Sequence, residues 1–286
     1  MKKTLSMILA IVMLVSCVAM VASCGACKGD VNVKIIEIPL SSEEYAFAIA
    51  KDDADLLAKT NEYLTKIMSD GTFAAICNNY FGDGTPQKIT SAAKDESKDQ
   101  LIVATSTGFA PFEMVDENGL FSGIDMEIAK GLAEYLGKEL VIVDMTFEAV
   151  VTSVQSNICD IGMAGLTISP DRQEKVVFSN SYYNASQVLV VKEDDDTFKD
   201  CKTAEDVVKI LNELGKDAKI GCQKGTTGES YLDGSEDLGF PGVPVTKMSY
   251  DYAALAITAM RNGEIDFVIL DNAPAKAIVD TVNEKK

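Results

Sequence analysis

The chain has 286 residues, 47% of them hydrophobic, and a formal net charge of −18, with neither His nor Trp. Such acidity excludes nucleic-acid binding through phosphate neutralisation. The absence of His removes Ser-His and Cys-His catalysis and most zinc sites, so no metal and no cofactor is expected.

Lys2 and Lys3 precede an almost continuously apolar run from Leu5 to Ala22, which breaks into small and polar residues at Ser23-Cys24-Gly25-Ala26. This pattern is a secretory signal and stands outside the fold. Val21-Ala22-Ser23-Cys24 resembles a bacterial lipobox, which makes 1–23 a lipoprotein signal peptide, Cys24 the lipid attachment site and 24–30 a tether. Leu14-Val15-Ser16-Cys17 fits the same pattern, and an uncleaved N-terminal helix is the alternative. Each version tethers the chain to the membrane outside the cytoplasm. Residues 1–23 hold two lysines and no acids, so without them the charge moves from −18 to −20. About 255 residues then remain, enough for two small domains or one large one. Of seven cysteines, only Cys24 and Cys27 are close in sequence; Cys201 and Cys222 could pair if the fold brings them together, but isolated thiols are preferred.

Along the rest of the chain, an apolar stripe at Ala54, Leu57, Leu64, Ile67 and Met68 predicts a helix over 53–70 that stops at Gly71, and a shorter helix follows over 72–80. Residues 83–98 are polar, turn-rich and without a period, and read as a linker. A strand is expected at 101–105. A helix is expected over 125–136, capped by Asp125 and ended by Gly137. Then come a strand at 140–143, a helix at 148–156, a strand at 158–163 and a strand at 187–192 crossing between lobes. The rhythm repeats with helix 204–214, strand 219–222, a helix from Ser230, strand 243–246, helix 253–262, strand 267–270 and a helix over 274–281 with Pro274 first. Alternating strands and helices predict parallel sheets covered on both faces, in two α/β lobes. Gly225-Thr226-Thr227-Gly228 lacks the spacing and the Lys of a nucleotide cradle.

Gly123-Ile124-Asp125-Met126-Glu127-Ile128, followed by Leu132-Ala133 and Leu136, resembles the signature of family 3 solute-binding proteins, the polar amino acid receptors of ABC importers. Residues 108–113 before it and Ala164-Gly165-Leu166-Thr167-Ile168-Ser169-Pro170-Asp171-Arg172 after it agree in order and spacing. Phe178-Ser179, Tyr182-Tyr183, Gly225-Thr226-Thr227, Gly263-Glu264-Ile265-Asp266 and Asp271 continue the pattern. The resemblance implies a two-lobed periplasmic-binding-protein-like fold of type II, each lobe a mostly parallel sheet flanked by helices.

It also implies a ligand site for a free amino acid, made of Phe109, Phe147, Ala164, Gly165, Thr167, Arg172, Thr226, Thr227 and Asp271. The planar fork of Arg172 suits a carboxylate. Backbone N–H groups of Thr167 and Thr227 add donors, the latter close to the helix expected from Ser230. Asp271, the Gly165 carbonyl and the Thr167 hydroxyl would take the ammonium, and Phe109 and Phe147 would sandwich the aliphatic part. Each has a plainer reading: Arg172 in a surface ion pair, Asp271 as a helix cap, the two phenylalanines as core. Tyr182 and Tyr183 read as packing. Receptors for cationic side chains in this family carry an acid where this chain has Ser106, and Gln223 lies near the other wall, so a neutral polar or small ligand is expected.

One feature departs from the family order. Residues 39–51, with Leu57, Asn61, Leu64, Gly71-Thr72-Phe73, Ile76 and Tyr80-Phe81-Gly82, look like the family's C-terminal end, yet precede its first strand. A circular permutation follows, with 83–98 joining the old termini; a swapped remnant pairing with a second copy is the rival. The first lobe is then 47–190, and the second is split into 31–46 and 191–286. Surface termini that lie close together make this tolerable.

The function expected is an extracytoplasmic, lipid-anchored receptor, not an enzyme. It would close on a free amino acid and pass it to the permease subunits of an ABC transporter. Two alternatives exist: an enzyme on the same scaffold, of the cyclohexadienyl dehydratase kind, which needs a general acid or base in the cleft, and the sensory lobe pair of a receptor.

Overall fold

The computed structural model describes residues 31–284. Expectations for Cys17, Cys24, the signal segment and the tether up to residue 30 lie outside the described residues. The described chain opens with β1 (Val33–Ile36), β2 (Glu43–Tyr45) and β3 (Ala48–Ile49), then α1 (Ala54–Ser69) and α2 (Thr72–Phe81). Asp53 caps α1 by accepting from the Leu56 N–H at 3.0 Å. Between the two helices Gly71 takes φ +85°, a conformation open to glycine at little cost.

Next come β4 (Gln100–Thr105), a hairpin of β5 (Met114–Val115) and β6 (Phe121–Ser122), α3 (Ile124–Leu136), β7 (Glu139–Asp144), α4 (Phe147–Gln155), β8 (Ile161–Gly162), α5 (Pro170–Gln173) and β9 (Val177–Phe178). Helix α3 buries Ile124, Met126, Ile128, Ala129, Leu132 and Ala133. Each large aliphatic side chain there contributes about 1.5–3 kcal/mol by leaving water. The last third holds β10 (Tyr183–Ala185), β11 (Gln187–Lys192), α6 (Ala204–Leu214), β12 (Lys219–Gln223), α7 (Thr227–Asp233), β13 (Thr246–Tyr250), α8 (Ala253–Asn262), β14 (Phe267–Asp271) and α9 (Asn272–Glu284).

Two five-stranded sheets form the lobes. The first has the order β7-β4-β8-β3-β9 and the second β1-β11-β14-β12-β13. A two-stranded ribbon of β2 and β10 lies where the chain passes between them. The sheets are mixed rather than mostly parallel. Strands linked by helices run parallel, as β4 with β7 and β8, and β12 with β13 and β14. Strands arriving from the other lobe enter in the opposite sense, as β3 against β8 and β11 against β14. The α/β, two-lobed fold is thus the one the resemblance implies.

The details correct several sequence expectations. Strand β11 lies over its whole length in the second sheet, paired with β1 and β14, so a lobe boundary at 190 would cut it; the crossing falls before Gln187. Strand β13 starts at Thr246 rather than 243, because Pro244 has no N–H for a ladder. Helix α9 starts at Asn272, two residues before Pro274; a proline in the first turn loses no intrahelical bond. Residues 83–98 are zipped onto the first lobe: Ile89 is 3% exposed and exchanges both backbone bonds with Phe121 at 2.8 Å. Cys77, Cys159, Cys201 and Cys222 are free thiols, so Cys201 and Cys222 do not pair. No helix among the described residues is long and apolar enough to cross a membrane.

Candidate functional site at the lobe junction

The β2–β10 ribbon brings its buried side chains to the meeting of the lobes. Tyr45, fully buried, donates its hydroxyl to Asp271 Oδ1 at 2.6 Å. Asp271 ends β14, in the second lobe. Burial, then the nearby Glu43 carboxylate, pushes the Asp271 pKa up to about 7, against the hydrogen bond from Tyr45. On the same ribbon Glu43 is 5% exposed. Its Oε2 accepts from the hydroxyls of Thr167 and of Thr227, each at 2.6 Å. Its Oε1 accepts from Ser41 Oγ at 2.6 Å and Gln187 Nε2 at 3.1 Å.

Arg172, in the short helix α5, is buried, and its guanidinium lies 5.2 Å from the centre of the Phe147 ring. Its Nη1 donates to the Thr167 carbonyl at 2.8 Å and its Nη2 to the Gly225 carbonyl at 3.0 Å. One guanidinium therefore ties the first lobe to the second. Burial lowers its pKa, while Asp171, Glu43 and Asp271 act the other way.

Behind this layer, Gly165 holds φ +55°, and a Cβ there would sit 2.9 Å from the Phe109 ring, so glycine is required on two counts. Its N–H donates to Asp125 Oδ2 at 3.0 Å, and Tyr182 donates to Asp125 Oδ1 at 2.6 Å. Burial raises the Asp125 pKa to about 7 against both hydrogen bonds. Glu113 is fully buried, and neither of its carboxyl oxygens has a partner among the described residues. Burial first, then Asp125, Asp271 and Asp144, raises its pKa well above the usual carboxylate range. Ser106 Oγ is also buried and unpartnered.

Phe109, Gly165, Thr167, Arg172, Phe147, Thr227 and Asp271 are all found around this junction, joined by the contacts above. Two predicted residues turn elsewhere. The Ala164 side chain belongs to the core beside Val150 and Val154. The Thr226 hydroxyl caps α7 by accepting from the Glu229 N–H, and it donates to the Gln223 carbonyl at 2.7 Å. Helix α7 starts at Thr227, three residues earlier than expected. Asp125 is no cap; it lies inside the first turn of α3 and braces Gly165 and Tyr182. Tyr182 packs on Phe47 with ring centres 4.5 Å apart but also makes that hydrogen bond. Gln223 donates to the Asp251 carbonyl at 3.2 Å.

Sequence reading missed Glu43, Tyr45, Gln187 and Glu113 as members of this site. All four stand in segments it had singled out, and the nearness of Glu43 to Tyr45 and of Glu113 to Phe112 was the available signal.

The model of the bacterial extracellular solute-binding proteins, family 3, matches residues 101–226. The chain is 34% identical over 105 residues to the arginine-binding extracellular protein ArtP of Bacillus subtilis (strain 168), covering 37% of this chain and 41% of ArtP. It is 28% identical over 176 residues to the ABC transporter arginine-binding protein 1 of Escherichia coli (strain K12), covering 61% of this chain and 64% of that one. It thus spans less than two thirds of either relative. The L-cystine-binding protein TcyJ of the same E. coli strain is 28% identical over 192 residues, covering 67% of this chain and 66% of that one. The solved structure of holo ArgBP from T. maritima superposes with a TM-score of 0.55 at 37% identity, covering 67% of this chain and 78% of that one. With two lobes, a buried polar junction and this likeness, the chain belongs to the bacterial extracellular solute-binding proteins of family 3.

Proposed function

We propose that this chain is an extracytoplasmic receptor that closes its two lobes on a free amino acid with a cationic side chain, arginine first, and passes it to the permease subunits of an ABC importer. The observation that carries the ligand class is the charge of the buried groups. Around the junction Glu43, Glu113, Asp125 and Asp271 are buried, against Arg172 as the single buried cation among the described residues. Buried carboxylates without counter-charge are costly, and a ligand bringing ammonium and guanidinium groups offsets that cost. The relatives named for arginine point the same way, while TcyJ is named for cystine, which carries no net charge; the expected neutral polar or small ligand is withdrawn. Ser106 carries no acid, and the buried acids of the junction, Glu43 and Asp271, stand at other positions in the chain.

The ligand-contacting residues remain Phe109, Phe147, Gly165, Thr167, Arg172, Thr227 and Asp271. Anchoring through a lipid on Cys24 belongs to the same reading. Thermal shift against the twenty amino acids tests it: at a concentration one hundred times Kd, a ligand adds about 2.7 kcal/mol of stability. Arginine should give the largest rise. A larger rise with glutamine or serine overturns the cationic preference. No rise with any amino acid, together with turnover of a cyclic acid, replaces the receptor by a dehydratase.

The permuted chain order is part of this proposal. It is supported by β1 lying in the same chain's second sheet, antiparallel to β11. Val33 and Asn283, at opposite ends of the described chain, are hydrogen-bonded twice: Val33 N–H to Asn283 Oδ1 at 3.1 Å, and Asn283 Nδ2 to the Val33 carbonyl at 2.9 Å.

A further inference from the structure

We propose that a groove on the second lobe is a docking site for a protein partner that presents a short apolar segment flanked by basic residues. The groove has a volume of about 870 Å³ and runs between helix α6 and the loop that follows α7. Leu40, Val208, Tyr231 and Phe240 give it an apolar lining, and none of its residues is among those nominated for the amino acid. On α6 the lining recurs at Ala204, Val208 and Asn212, with Glu205, Lys209 and Glu213 beside them, which is one face of the helix. From 204 to 213 that face is roughly 14 Å long at about 1.5 Å per residue.

The wall opposite α6 is preformed. Ser235 and Phe240 exchange both backbone hydrogen bonds, at 3.0 and 2.8 Å, which closes the loop on itself. Within it Gly239 takes φ +69° and donates its N–H to the Glu236 carbonyl at 3.1 Å. The Phe240 ring lies 5.2 Å from that of Tyr231, which is buried. A partner therefore meets a shaped apolar surface with no loop to order first. The charges around it decide what fits. Glu205 and Glu213 stand towards the two ends of the α6 face, and Glu236 and Asp237 are exposed beside Leu238 on the other wall. None of these four is in an ion pair among the described residues. Lys209 is the single cation of the lining. An acidic segment would be repelled, and a purely apolar one would leave the rim acids unmatched. Apolar side chains at helical spacing, with Lys or Arg at both ends, match the lining and the rim together.

This goes beyond the function proposed for the cleft and holds whichever amino acid enters it. The test uses the whole chain, fluorescence anisotropy at about 0.15 M salt, and three labelled peptides of about twelve residues, long enough as helices to overhang the groove at both ends. One has a Leu, Ala and Phe core with two Lys at each end, one the same core with Glu ends, and one a Ser core with Lys ends. The first should bind saturably, one per chain, and the other two about tenfold more weakly or worse. Val208→Asp should cost the first peptide about tenfold in Kd. The double variant Glu205→Lys, Glu213→Lys, at two exposed positions, should reverse the preference to the Glu-ended peptide, and it decides the matter alone if circular dichroism shows Val208→Asp unfolded. Equal binding of the apolar and Ser-core peptides overturns the proposal, because charge alone then accounts for it. Unchanged affinity in both variants places the binding elsewhere and overturns it too. So does saturable binding of octylammonium with none by any peptide, which assigns the groove to a small amphiphile, and so does no binding at all.

Discussion

At the scale of the residue, Asp271 makes the site sensitive to pH. Its carboxyl holds a proton up to about pH 7 in the folded chain, against an ordinary value of 3.8. Between those values the folded state binds more protons than the unfolded one, so this group's contribution to stability falls as pH rises from about 4 to about 7. Asp125, raised to about 7 by its own burial, acts in the same window. Asp271→Asn removes the titration while keeping an acceptor for Tyr45. The ligand-free melting temperature of the variant should fall less between pH 5 and pH 7.5 than that of wild type; an identical slope counts against the assignment. A ligand ammonium beside Asp271 favours the ionised form, so binding near pH 6.5 should release protons, seen in calorimetry as a binding heat that varies with the ionisation heat of the buffer. Arg172, Asp271 and Phe109 were nominated from the sequence because the resemblance to the family implies them, and their contact with a ligand belongs to the proposed function. Glu43 was not nominated, because only the fold brings Thr167, Gln187 and Thr227, 124 to 184 positions away, to its carboxylate.

At the scale of the element, the segment between α2 and β4 is held by one buried acid. Glu127, in the first turn of α3, accepts from Tyr80 Oη at 2.7 Å, from the Gln87 N–H and Nε2 at 3.0 Å each, and from Asn79 Nδ2 at 3.1 Å. Tyr80 in turn accepts from the Gly123 N–H at 2.7 Å, just ahead of α3. Glu127→Ala leaves several of these donors unpaired at about 1–3 kcal/mol each before relaxation. The expected outcome is a loss of about 2–4 kcal/mol in urea unfolding, with faster proteolysis within 83–98. Unchanged cleavage there would show that the Ile89–Phe121 pairing alone holds the segment. The polar, period-free composition of 83–98 concealed this docking, because its anchors are backbone bonds, one isoleucine and the Gln87 contacts to Glu127. Helices α1, α6 and α8 were readable, each carrying its own apolar period and start or stop signal. The short β2, β5 and β10 were not, for two or three residues cannot show a period.

At the scale of the whole molecule, the proposed permutation makes a direct prediction. A chain rebuilt as residues 99–284, a short Gly-Ser joint and residues 31–82 needs only to span the gap that the Val33–Asn283 hydrogen bonds already close. Loop-closure entropy changes slowly with length, so such a joint costs little. The rebuilt chain should unfold in one cooperative transition with arginine stabilisation like that of the natural order. Aggregation, or folding only as a dimer, would favour the swapped-remnant alternative over permutation.

Sequence alone determined the class of the molecule: two α/β lobes and the solute-binding family. Periodicity, caps and family spacing are local properties, and a chain carries them wherever its ends are placed. Only the tertiary structure decided that each sheet is mixed, because strand sense depends on which lobe a strand comes from. It likewise decided that Arg172 ties lobe to lobe through two carbonyls, and that Glu43 stands between Thr167 and Thr227. Arg172 and Gly225 are 53 positions apart, and Glu43 is 124 and 184 positions from Thr167 and Thr227, separations that no pattern in the sequence reaches.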